Sequence, residues 1–184
     1  MKKSKYIAAA LLPLMIFSGC SSNGVSCDDD AVLKLVKEET YDYAKNAALL
    51  NMVYQLQMSE NIEEGKNVDA SSMMSNMYID PNSAMGLGLL MMRDNEKIEQ
   101  TPLKGKFEVA EYFFKDAKYL IEDIRTVEKD SKLNKVECKG VVKYITLDKE
   151  DDSEIGFNFD LDYSAQMSDS SDKVFVDIIN ITAQ

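Results

Sequence analysis

The sequence predicts an α+β fold in which one long amphipathic helix packs on a four-stranded antiparallel meander. Three observations carry this. Apolar residues recur at three- and four-residue steps early in the chain, they alternate with a period of two from Tyr119 onward, and a methionine-rich segment separates the two regimes. A run of helix followed by a run of strands puts the helices on one face of an antiparallel sheet.

The first helix opens at Asp28-Asp29-Asp30. Acids there complement the positive end of the helix dipole and cap free amides. Val32, Leu35, Val36, Tyr43, Ala47, Leu50 and Tyr54 make one apolar stripe, with Lys34, Lys37, Glu38, Asp42 and Lys45 off it. This helix is expected to run to about Met58, with Gly65 closing any extension. Residues 66–116 form a helical insertion. In it Ser71–Met77 and Ser83–Met92 are short methionine-rich helices parted by the turn Asp80-Pro81-Asn82. Thr101-Pro102-Leu103-Lys104-Gly105 is expected to break the chain before a last short helix over Phe107–Lys115.

The four strands are expected at Tyr119–Val127, Lys135–Leu147, Ile155–Met167 and Lys173–Thr182, parted by loops rich in Asp, Ser and Lys. The third has the clearest pattern, with Ile155, Phe157, Phe159, Leu161, Tyr163, Ala165 and Met167 on one face. Asn158, Asp160, Asp162, Ser164 and Gln166 occupy the other. One buried face and one wet face follow from that alternation.

The first twenty residues read as an address. Lys2, Lys3 and Lys5 precede an apolar run from Tyr6 to Phe17, and Ser18-Gly19 stand directly before Cys20. A basic start, a short apolar stretch and small residues at a cut describe an export signal, too short at about a dozen apolar residues to span a bilayer. Phe17-Ser18-Gly19-Cys20 resembles the lipobox of bacterial lipoproteins, although Phe17 stands where Leu is usual. The resemblance implies cleavage before Cys20, diacylation of its thiol and acylation of the new amino group. Residues 1–19 would then be the signal peptide, 20–26 a lipidated flexible tether of Ser, Asn and Gly, and 27–184 a single domain. In a host with two membranes, Ser21 matches lipoproteins sent to the outer membrane.

With Cys20 lipidated, two cysteines remain, Cys27 and Cys138, lying 111 positions apart. In an exported domain they read as one disulfide, with two buried free thiols as the alternative. Chain entropy assigns a closed loop of that length about 4.7 kcal/mol. The arrangement resembles the cystatin-like and NTF2-like families over residues 27–58 and 119–182. It also resembles small envelope lipoproteins whose early cysteine pairs with one on a strand. These likenesses imply a helix lying in a curled sheet.

The available chemistry is narrow. The chain has no histidine, which removes histidine-dependent triads, zinc sites and proton shuttles. No phosphate loop, dinucleotide fingerprint or nucleophile elbow appears, so no catalytic site, metal or cofactor is expected. Asp160 and Asp162, two apart on one strand face, are the best carboxylate pair, but their alternation with apolar residues places them in solvent. Asp148, Glu150, Asp151, Asp152 and Glu154 lack the spacing of a calcium loop and read as a solvated hairpin. Met73, Met74, Met77, Met85, Met91 and Met92 read first as core filler, then as an apolar groove, and only last as copper ligands.

The formal charge of −11 becomes −14 once the three leader lysines are removed. Such a chain is repelled by nucleic acid and favours basic partners. The expectation is a lipid-anchored envelope protein acting as a non-enzymatic interaction module, tied to the membrane through its acyl chains and to a protein partner. Two alternatives stand beside it. One is a carrier of apolar ligands or lipid, with Met85, Leu87, Leu89, Leu90, Met91 and Met92 lining a groove. The other is an immunity-type inhibitor of a basic toxin.

Overall fold

In a computed structural model the chain folds as α+β, and its described residues hold a long N-terminal helix, two short helices and a four-stranded antiparallel sheet. The structure describes residues 24–63, 78–95, 101–147, 154–170 and 173–184. The lipobox with Cys20, residues Ser71–Met77 and the acidic loop 148–152 lie outside these. Helix α1 spans Asp30–Glu63, α2 spans Ala84–Arg93 and α3 spans Pro102–Phe113. Strands β1 Lys118–Asp130, β2 Lys135–Leu147, β3 Glu154–Met167 and β4 Val174–Ala183 lie side by side in chain order.

Helix α1 lies across β2, β3 and β4, and α3 packs against α1. Its buried stripe holds Val32, Val36, Ala44, Ala47, Leu50 and Val53, facing Val136, Val142, Phe159, Leu161 and Tyr163 on the sheet. Small residues at Ala44, Ala47 and Ala48 let the helix approach the strands closely. The helix passes the expected end at Met58 by a turn. Nothing in its sequence breaks it there, and the first glycine is Gly65.

Three elements differ from expectation for identifiable reasons. The residues Thr101–Gly105, expected to break the chain, instead start α3. Thr101 is extended at the N-cap, and Pro102 sits in the first turn, where its missing N–H costs nothing. Strand β1 runs on to Asp130 through two register shifts, one beside Asp123 with φ 53° and one at Thr126/Glu128. Such bulges bend a strand while keeping its pairing. Strand β4 slips by one residue between Asn180, which opposes Asp162, and Ile178, which opposes Tyr163. The inward set therefore changes from Val174, Val176 and Ile178 to Ile181 and Ala183, leaving Ile179 exposed. By contrast β2 and β3 pair without interruption from Lys135 opposite Gln166 to Leu147 opposite Glu154.

Cys27 and Cys138 are bonded, with Cα atoms 5.8 Å apart. The bond fastens the chain just before α1 to β2. Tyr163 strengthens the junction by donating from its hydroxyl to the Cys27 carbonyl at 2.7 Å. Burial, with Asp28 nearby, pushes the Tyr163 phenol up to about 12, so it stays a donor. No helix among the described residues is long and apolar enough to cross a membrane.

Candidate functional site

A concavity lies between α1, the segment ahead of α2, α2 itself and β4. Its volume is about 380 Å³. Glu39, Asp42, Tyr43 and Asn46 line one wall. Their spacing of three, four and seven residues places them on a single side of α1. Pro81, Asn82, Leu87 and Leu90 make the opposite wall, and Ile178 and Ile181 of β4 contribute apolar surface. The β4 slip is what allows Ile181 to face this side.

The walls are held apart by specific bonds. Asn51, buried in α1, reads both backbone groups of Ile79. It accepts from the Ile79 N–H at 2.9 Å and donates to the Ile79 carbonyl at 3.3 Å and to the Ala47 carbonyl at 2.7 Å. Next to it the Tyr78 hydroxyl donates to Tyr43 at 3.1 Å, and both rings stack edgewise on Phe159. Asp80 folds the following turn by accepting from the Asn82 N–H at 2.9 Å. Ser83 then caps α2, its hydroxyl accepting from the Gly86 N–H at 3.0 Å.

Gly86 lies buried under the Asp80–Pro81 turn that leads into α2. A Cβ there would come within 2.2 Å of the Asp80 carbonyl oxygen, so no other residue fits without moving backbone. At the far end of α2, Arg93 donates to the Asn46 side chain at 3.3 Å. Helix α2 is thus pinned at both ends and leaves an opening along its middle.

The cleft is apolar within and acidic at its edge. Glu39 and Asp42 are exposed carboxylates on the rim. Burial raises the phenols of Tyr43 and Tyr78 above their ordinary value, so neither adds charge near neutrality. Arg93, held to Asn46, is paired with Asp94 at 2.7 Å, so Glu39 and Asp42 leave the rim acidic and suited to a cationic group.

The residues expected to line a groove divide in two. Leu87 and Leu90 line the cleft, while Leu89 is half-buried against the core. Met85, Met91 and Met92 do not line it and are not core filler, since Met91 is 74% exposed and the other two about half. Helix α2 meets the core through Leu89 and Leu90, which leaves its methionines outside. Glu39, Asp42, Asn46, Ile178 and Ile181 escaped the sequence reading. The one available signal was the polar stripe of Glu39, Asp42 and Asn46 beside Tyr43.

A second, polar concavity of about 620 Å³ lies on the uncovered face of the sheet. Asp160 and Asp162 both line it, but each carboxylate is engaged. Asp162 pairs with Lys139 at 3.2 Å, and Asp160 accepts from the Gln184 amide at 2.8 Å. Among the described residues, no group of three or more potential ligands is placed to hold a metal ion.

No protein-family model, no curated protein and no solved structure matches this chain.

Proposed function

We propose that this chain is a lipid-anchored protein of the bacterial cell envelope, held through acyl chains on Cys20. Its α+β domain acts without catalysis as an interaction module. The partner is a basic protein segment that carries apolar side chains. The observation that carries this reading is the cleft, where Leu87, Leu90, Ile178 and Ile181 form the interior and Glu39 and Asp42 the rim. An apolar floor supplies affinity, while rim carboxylates steer a cationic partner and select against acidic ones. The charge of the whole chain works in the same direction. An immunity-type role against a basic toxin is one form of this reading.

The cleft volume also falls within the range used by small-molecule sites, about 300–1,000 Å³, which keeps an apolar-ligand carrier as the second reading. One experiment separates them. The intact lipoprotein is crosslinked in cells and purified from solubilised membranes, beside a Glu39→Lys/Asp42→Lys variant. The expected result is a protein adduct that falls several-fold in the variant, at unchanged thermal stability. A bound small-molecule mass with no protein adduct favours the carrier. Equal protein adducts in both chains remove the cleft from the account.

A further inference from the structure

We infer that the end of the sheet carrying the β1–β2 turn and the start of β4 rests on the lipid surface, inserting Leu133 and Phe175 among zwitterionic headgroups and so fixing the domain's orientation. The inference rests on the reading of Cys20 as lipidated, and adds to it a second, non-covalent membrane contact.

Gly24 adopts φ +72° and lies against the β1–β2 turn, so close that a Cβ there would fall 2.4 Å from Asn134 Oδ1. Val25 and Cys27 are 2% exposed, and the Cys27–Cys138 bond locks the segment to β2. The tether is therefore fixed to the domain from Gly24 onward and is not free to residue 26. Gly24 lies four positions after Cys20, and a fully extended chain over four steps reaches at most about 14 Å. A lipid on Cys20 has its glycerol at the headgroup level. The β1–β2 turn is thus held within that reach of the membrane.

The surface that lands there exposes two large apolar side chains. Asp130, Lys135, Gln166 and Phe175 form one row across all four strands near this end. The Met167 N–H donates to the Asn134 carbonyl at 3.2 Å and brings the end of β3 to the β1–β2 turn. Leu133 at the turn is 58% exposed and Phe175 is 56% exposed. Charges at this end are mixed, with Lys129, Lys132, Lys135 and Lys173 set against Asp28, Asp29, Asp30, Glu128, Asp130, Glu137 and Asp169. That mixture gives no net attraction to anionic lipid. Apolar side chains amid both signs of charge instead suit a zwitterionic interface. The cleft wall on α1 begins at Glu39, about 14 Å along the helix from Asp30, which keeps it clear of the headgroups.

The chain has no tryptophan, so a single introduced one reports its own depth. The full lipidated protein, as Leu133→Trp, Phe175→Trp or Leu147→Trp, is reconstituted on phosphatidylcholine vesicles with brominated acyl chains. Leu147 is exposed at the opposite end of β2 and serves as the reference. Fluorescence quenching is expected to be several-fold stronger at 133 and 175 than at 147. Two variants at the contact keep the test readable if either one fails to fold. Vesicle flotation with equal quenching at the three positions overturns the orientation while leaving the lipid anchor intact. Protein that does not float, with an unmodified Cys20 by mass, overturns the anchor and this inference with it.

Discussion

The seam between α1 and the sheet and the cleft beside α2 are built from the same residue types and behave in opposite ways. At the seam, Val36, Ala47, Leu50, Phe159 and Tyr163 are fully enclosed, and a disulfide closes one end. At the cleft, Leu87 stays 50% exposed, and the walls are set by hydrogen bonds from Asn51, Ser83 and Arg93. Enclosed apolar surface holds the fold together. Apolar surface left open by polar struts is available to a partner. The two regions can therefore be broken separately.

The largest effect is expected at the seam. Phe159 is 0% exposed and touches both Tyr43 and Tyr78. Phe159→Ala should cost about 3–5 kcal/mol, read as a lowered urea midpoint. It also removes the ring on which the cleft tyrosines lean, so it damages both regions. Next comes the covalent link. Cys27→Ala/Cys138→Ala should cost about 2–5 kcal/mol in the same assay while leaving the cleft walls in place. A smaller loss is expected at the strut. Asn51→Ala leaves the Ile79 N–H and carbonyl without their partner and should cost about 1–3 kcal/mol. Its distinctive signature is faster hydrogen exchange at residues 78–86, with the sheet amides unchanged.

How much of this was legible in the sequence follows the same division. Strand β2 fell on Lys135–Leu147 as expected, because strict alternation in a continuously paired strand leaves no other register. The β4 slip was harder to see. Ile178-Ile179 breaks the alternation by one residue, which in sequence looks like a strand ending and in space is a bulge. The start of α3 was misread because proline stops a helix from within yet begins one at its first turn. Thr40 and Asn51 sit on the buried face of α1 satisfied partly by the Val36 and Ala47 carbonyls one turn back and partly by Tyr119 and Ile79, and no local pattern reveals the distant partners. The methionines of α2 show the limit most clearly. Their spacing suits a core helix, but α2 turns Leu89 and Leu90 to the core and leaves Met85, Met91 and Met92 exposed. The cleft itself was legible only in fragments, since it is assembled from three elements more than thirty residues apart in the chain.

The most direct test of the cleft as the binding surface is site-specific photo-crosslinking in living cells. One probe replaces Leu87 inside the cleft, and the other replaces Ile179, equally exposed on the uncovered face of β4. A discrete protein adduct from position 87 and none from position 179 is the predicted result. Adducts of equal yield from both positions, or from 179 alone, would contradict it.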